Sequence, residues 1–220
     1  MKLKMTIPTE LRDITLYQYQ KYLRLLEDNP DDAENTMFVK TKMLEIFCNI
    51  PFAKLYNYRM RDLDDIIENI TNALDQSPDL ITMFTMGDTT FGFIPKLDDM
   101  TFGEYVDLDT HISDWQNIHK AMAVLYRPVK LKKKEKYTIE KYRGDNYHDA
   151  MKDMPLDAVF GALLFFYRLG IDCSKDMTTY LDTEVNKTEL GADLEKNGVG
   201  IRQYTNLLRG ILDDLKVSLN

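Results

Sequence analysis

The 220-residue chain has few cysteines and none of the glycine or serine motifs that mark common catalytic sites. Its two cysteines, Cys48 and Cys173, lie far apart and belong to no CxxC or cysteine–histidine motif. Two buried, reduced thiols are expected; a single disulfide would also fit, although it is unusual in a reducing compartment. The chain also lacks a GxSxG motif, a Walker motif and a dinucleotide-binding glycine pattern. These absences predict a protein that is not an enzyme and that holds no cofactor.

The sequence has no long apolar run. Its longest, at 158–167, has about half of the roughly 20 residues that a membrane-spanning helix needs. Residues 1–8 are too few and too interrupted to be the apolar region of a signal peptide. The sequence therefore predicts a cytosolic type of protein without a membrane partner.

Positive charge is in deficit, with 28 lysines and arginines against 36 aspartates and glutamates, a net charge of −8. Sequence-independent binding of nucleic acid needs a surplus of lysine and arginine, so nucleic acid is not expected as the main partner. The apolar fraction of 44% and the aromatic fraction of 11% are ordinary for a globular protein. Disorder is therefore a poor description of the chain.

One seven-residue pattern occurs twice, at 13–19 and at 99–105. It reads Asp, apolar, Thr, apolar, any residue, Gln or Glu, Tyr. A threonine followed three residues later by Gln or Glu is typical of a capping box, in which each side chain bonds to the backbone N–H of the other residue. The pattern predicts two helices that begin in the same way, after Thr15 and after Thr101.

Hydrophobic spacing and turn residues predict the remaining elements. Helices are expected at 15–28, 36–49, 64–75, 113–126 and 155–169, the last ended by Gly170, with further helix at 176–190 and 201–217 around a break at 197–200. Two hairpins are expected, one from 81–85 with 90–94 and one from 129–131 with 137–139. The predicted fold is α+β and mostly α-helical, a helical bundle with two short β-hairpins.

No linker rich in glycine, serine or proline interrupts the chain. A single domain over 1–220 is therefore expected. Its predicted parts are a helical N-terminal part (1–78), the hairpins with the central helices (79–175) and a C-terminal helical segment (176–220).

Two histidines, His111 and His119, are spaced to share one face of a single helix with Trp115. Such a pair could bind a metal together with a nearby carboxylate. No HExxH or calcium-loop motif accompanies it, and an acidic helix packed around Trp115 explains the same residues. No metal site is predicted.

The strongest candidate interface is the segment 98–114, which carries six carboxylates and no lysine or arginine. It could dock a basic partner, although plain solvation and helix-start preferences explain the same residues. A second candidate is the lysine-rich tip of the second hairpin, which suits nucleic-acid contact, self-assembly or protection of a strand edge. The candidate interface residues are Asp98, Asp99, Glu104, Asp107, Asp109, Asp114, Lys132, Lys133 and Lys134.

Several segments together resemble a group of proteins from bacteriophages. They are 14–20 (ITLYQYQ), 91–97 (FGFIPKL), 103–109 (GEYVDLD), 122–128 (MAVLYRP) and 154–157 (MPLD). The chain resembles small proteins encoded in the structural gene clusters of tailed phages, crAss-like and T4-like phages among them. That group includes tail-assembly-chaperone-like proteins and virion components. The resemblance covers most of 7–170 and contains no catalytic signature.

The resemblance implies a non-enzymatic morphogenesis protein that acts through protein–protein contacts in tail or neck assembly. It would be either a transient chaperone of the tape-measure protein or a stable virion component such as a portal–tail ring or adaptor subunit. Two further classes stay open, an accessory nucleic-acid-binding protein and an uncharacterised enzyme. The implied partners are phage structural proteins or a second copy of the chain. The implied location is the host cytoplasm during assembly, and the virion for a stable subunit.

Overall fold

A computed structural model describes residues 6–29, 37–134, 136–144 and 146–185, without the side chains of 170 and 172–185. The described part is α+β and mostly helical, as predicted, whereas the arrangement of the helices as a bundle stays a prediction. The helices are α1 (Leu16–Glu27), α2 (Met37–Cys48), α3 (Phe52–Leu55), α4 (Met60–Leu74), α5 (Phe102–His111), α6 (Ile118–Leu125) and α7 (Leu156–Val185). The strands are β1 (Met83–Met86), β2 (Thr89–Phe93), β3 (Tyr126–Lys133) and β4 (Lys136–Ile139). Short 3₁₀ turns lie at Leu11–Asp13, Leu97–Asp99 and Ala150–Asp153.

Both predicted hairpins form, and they join into one antiparallel sheet with the strand order β1-β2-β3-β4. The joining pair is β2 with β3, in which Phe93 lies opposite Tyr126. Gly87 supplies the positive φ of 54° in the turn of the first hairpin, a conformation that glycine adopts without steric cost. Tyr137 of β4 crosses the backbone of Gly92, where an added Cβ would lie 2.6 Å from the tyrosine ring. The sheet thus needs a glycine at this position.

The predicted helix over 113–126 is wrong at both ends. The helix begins at Ile118, because Asp114 accepts hydrogen bonds from the Gln116 N–H and the Asn117 side chain and holds a turn before it. Tyr126 begins β3 instead of ending the helix, and its hydroxyl donates to the Ile81 carbonyl at 2.8 Å. A tertiary hydrogen bond and strand pairing therefore override the helical spacing.

Two further helix limits differ from the prediction. Helix α4 begins at Met60, four residues before the predicted start at 64, and its N-cap residue Arg59 has extended backbone. Helix α7 continues through Gly170, where a stop was expected. A glycine inside a helix costs only about 1 kcal/mol, which a long helix tolerates. The predicted break at 197–200 and the predicted helix at 201–217 lie outside the described residues.

The core runs from the start of α7 and helix α6 through one face of α1 to buried residues of α2, α4 and β2. The first two turns of α7, from Leu156 to Leu163, are buried throughout, as expected for a helix that is apolar nearly all round. The Leu16 N–H donates to the Met154 carbonyl, and the Leu156 N–H donates to the Ile14 carbonyl, both at 2.9 Å. These two bonds fix the start of α1 to the start of α7. No described helix is both long and apolar enough to cross a membrane.

Candidate functional site

Both predicted capping boxes form. In the first, the Thr15 N–H donates to the Gln18 Oε1 atom at 2.9 Å, and the Gln18 N–H donates back to the threonine hydroxyl. In the second, the Thr101 N–H donates to the Glu104 Oε2 atom at 2.6 Å, and the Glu104 N–H donates back to its hydroxyl. The repeated pattern therefore does start two helices, α1 and α5.

Glu104 lies apart from the exposed acidic surface on which it was predicted. Its side chain is buried, and its Oε1 atom lies 2.6 Å from a terminal nitrogen of Arg127, which is also buried. Within the described residues, the Arg127 Nε atom is buried and has no hydrogen-bond partner. The carboxylate thus has a structural task, to cap α5 and to pair with Arg127 near the start of strand β3.

An apolar surface lies on α5 next to this buried pair. Phe102 is 84% exposed, Tyr105 is 53% exposed and Val106 is 41% exposed. Their spacing places them side by side on consecutive turns of the helix. We call these three residues the α5 face. Large apolar side chains that are exposed together on one helix are unusual in a protein without a partner.

A groove runs from this face toward α7. It has a volume of about 380 Å³, and its floor includes Leu108 of α5, Ile112 just after that helix and Phe166 of α7. Leu169, at 38% exposed, extends the apolar lining along α7. The α5 face and this groove could hold an apolar side chain or one face of an amphipathic helix.

Carboxylates precede and follow this apolar surface along the chain. Asp98, Asp99 and Asp109 are exposed, and Asp109 also lines the groove. Asp107 accepts a hydrogen bond from the Tyr142 hydroxyl at 2.6 Å. Burial, and then this hydrogen bond, raise the pKa of the Tyr142 phenol. Asp114 is exposed, and its hydrogen bond with Asn117 lowers the pKa of its carboxyl. Of the six predicted acidic residues, Asp98, Asp99 and Asp109 are therefore the ones free to meet a partner at this surface.

The predicted lysines lie elsewhere. Lys132, Lys133 and Lys134 are exposed at the far end of β3, beyond Leu131, which is 74% exposed. Lys133 lies six residues beyond Arg127 along β3, a distance of about 20 Å in a strand. The acidic segment and the lysine-rich tip are therefore two separate surfaces.

The two histidines do not share a helix. His111 is the last residue of α5 and His119 lies in α6, so the one-helix geometry behind the metal hypothesis does not form. His119 is buried and accepts a hydrogen bond from the Gln20 amide at 3.3 Å. Among the described residues, no group of three or more histidine, cysteine or acidic side chains is arranged to hold a metal ion.

Cys48 is a buried free thiol, as predicted, and burial raises its pKa to about 11. The thiol is therefore protonated at neutral pH, which leaves little of the thiolate that nucleophilic chemistry needs. The side chain of Cys173 lies outside the described part.

The exposed α5 face is a candidate feature that the sequence prediction missed. Residues 102, 105 and 106 form an exposed apolar stripe, and residues 108 and 112 belong to a second apolar stripe, which is buried. Periodicity alone does not distinguish a stripe that meets the core from one that meets solvent. The acidic residues next to 102–106 are the one sequence signal that could have pointed to it.

Comparison with known proteins finds no matching family model, no matching curated protein and no matching solved structure.

Proposed function

We propose that this chain is a non-enzymatic bacteriophage morphogenesis protein that acts through protein–protein contacts in tail or neck assembly. The observation that carries the proposal is the α5 face, with Phe102 at 84% exposed beside the partly exposed Tyr105 and Val106. Burying one such side chain on a partner contributes about 1.5–3 kcal/mol. Three together, next to a groove, are enough to anchor a specific contact.

The charge around the α5 face points to the chemistry of the partner. Asp98, Asp99 and Asp109 attract a segment that carries lysine or arginine beside its apolar residues. The groove beside the face is of a size to take one apolar side chain of such a segment. An amphipathic basic helix of a phage structural protein, including the tape-measure protein, has this chemistry.

Two roles fit this surface. A tail assembly chaperone binds an apolar chain through one adaptable surface and leaves before the particle is complete. A ring or adaptor subunit needs contacts on two sides, and Leu131, at 74% exposed beside Lys132 and Lys133, supplies a second surface. The α5 face serves either role.

Quantitative mass spectrometry of purified particles, from the phage that carries the gene, tests the proposal. A fixed copy number per particle indicates a ring or adaptor subunit. Absence from particles, with co-purification of the tape-measure protein from infected cells, indicates a chaperone. Absence from particles and from every complex of structural proteins in infected cells contradicts both roles.

A variant pair connects this experiment to the α5 face. The double substitution Phe102→Asp with Tyr105→Asp should remove the contact, because it puts charge where apolar surface must be buried. Tyr56→Asp is the matched control, since Tyr56 is 77% exposed near α3 and outside the α5 face. Equal recovery of the phage partner with both variants would show that the α5 face is not the interface.

A further inference from the structure

A second concave surface, which shares no lining residue with the α5 groove, is formed by α1, the start of α6 and the 3₁₀ turn Ala150–Asp153. Its volume is about 530 Å³, within the usual range of small-molecule sites. We call it the basic pocket, after the cationic side chains that line it: Lys21, Arg24, Lys120 and Lys152.

The charge balance of the basic pocket is opposite to that of the chain. Asp149 is the one carboxylate on its lining, and that carboxylate lies 2.6 Å from the Lys152 ammonium. Within the described part of the chain, Lys21, Arg24 and Lys120 have no carboxylate within salt-bridge distance. Lys120 is also half-buried, so its charge has lost part of its hydration without gaining an ion pair. A concave surface of this kind concentrates positive potential.

One face of α1 supplies half of these cations. Tyr17, Gln20, Lys21 and Arg24 follow one another at the spacing that places side chains on the same side of a helix. The Lys21 ammonium lies over the Tyr17 ring, 4.2 Å from its centre. The ring thus holds the ammonium at the edge of the pocket without neutralising it.

Gln20 fixes the two walls of the pocket to each other. This buried side chain donates through its Nε2 atom to the Trp115 carbonyl at 2.8 Å and to the Gln116 carbonyl at 3.2 Å. The Gln116 side-chain amide donates to the backbone carbonyl of Gln20 at 3.3 Å. The pocket is therefore built on rigid neighbours, which lowers the entropy lost when a ligand binds.

The same glutamine sets the tautomer of His119. The Gln20 Nε2 atom faces two carbonyl oxygens and is therefore a donor. His119 accepts from it at Nδ1, so the neutral histidine ring carries its proton on its own Nε2 atom. Burial and the charges of Lys152 and Lys120 lower the pKa of His119 to about 4, which leaves the ring neutral at pH 7. A neutral imidazole that lines the pocket adds a hydrogen-bond donor to its cations.

We propose that the basic pocket binds a small phosphate-bearing molecule through Lys21, Arg24 and Lys120. A phosphate group carries up to two negative charges on several acceptor oxygens, which suits a guanidinium together with ammonium groups that lack carboxylate partners. The size and concavity of the pocket favour a small molecule over a nucleic-acid backbone, which needs an extended basic surface. This binding is separate from the contact proposed for the α5 face.

Isothermal titration of the purified full chain tests the proposal with three probes: inorganic pyrophosphate, ADP and a single-stranded oligonucleotide. Pyrophosphate or ADP should bind with a dissociation constant below about 1 mM. Equal affinity for the two shows that the pocket recognises the phosphates alone, and tighter binding of ADP shows that the nucleoside contributes. Binding of the oligonucleotide without the small phosphates, or no binding of any probe, overturns the proposal.

Two variants place the binding in the pocket. The double substitution Lys21→Ala with Lys120→Ala should weaken pyrophosphate binding at least about tenfold, and so should Arg24→Gln by itself if the double variant does not fold. Lys132→Ala with Lys133→Ala is the control, because it removes the same charge at the hairpin tip. Equal losses in the pocket variants and the control would show general charge attraction and would overturn the site.

Discussion

The two copies of the repeated pattern have opposite surroundings. In the first copy, Leu16 and Tyr19 are 0% and 1% exposed. The residues at the same places in the second copy, Phe102 and Tyr105, are 84% and 53% exposed. One local pattern therefore starts a core helix in one place and presents an apolar surface in the other.

The partner of the capping side chain accounts for part of this difference. Gln18 of the first box also donates through its amide to the Ile46 carbonyl at 2.9 Å, which joins the start of α1 to α2. Glu104 of the second box pairs with Arg127 on β3. The pattern sets where each helix begins, and the element next to it decides which apolar residues are covered.

The largest expected effect separates the two tyrosines of the pattern. Tyr19→Ala should lower the free energy of unfolding by about 3–5 kcal/mol, because it leaves a cavity in the core. The Tyr19 ring packs edge-on against Trp115 and Phe160, with ring centres 5.3 Å apart in each pair. Tyr105→Ala should change stability by no more than about 0.5 kcal/mol. Urea denaturation measures both, and equal losses would contradict the comparison.

The buried ion pair gives the next largest effect. Arg127→Met should destabilise the protein by about 3 kcal/mol, because the Glu104 carboxylate then stays buried without its cation. Adding Glu104→Gln to this variant gives the second box the same capping pair as the first, since a glutamine still accepts from the Thr101 N–H. The double variant should regain most of the lost stability in the same denaturation experiment. A double variant as unstable as Arg127→Met would show that the loss came from packing around the arginine.

The caps themselves should be equivalent. Thr15→Ala and Thr101→Ala each remove the side-chain acceptor of a helix start, at an expected cost of about 1 kcal/mol. Thermal or chemical unfolding measures both, with Thr→Ser at each position as the control that keeps the acceptor. A large loss at one position alone would show that the two boxes do not stabilise their helices equally.

The smallest expected effect is a gain. Gly103 has open space around the position of an added Cβ, so Gly103→Ala should stabilise the protein by about 0.5 kcal/mol. The control is Gly92→Ala, which should destabilise because its Cβ would meet the Tyr137 ring. Stability measured on the two variants distinguishes a glycine that is required from one that is not.

The sequence was sufficient for features that depend on near neighbours in the chain. The capping residues Thr15 and Thr101 and the first hairpin were predicted because each is formed within a few residues. Long-range partners were not accessible in the same way. The strand conformation of Tyr126 depends on Phe93 and Ile81, and the burial of Glu104 depends on Arg127. The α5 face is likewise set by which side of α5 the rest of the chain covers.

Complementation of a phage that lacks this gene tests the central claim, that the α5 face is a docking surface for assembly, most directly. Cells that supply the variant with Phe102→Asp and Tyr105→Asp should fail to restore plaques, whereas cells that supply Tyr56→Asp should restore them. Circular dichroism of both purified variants checks that they fold. Plaque formation at the wild-type level with the α5 variant would contradict the claim.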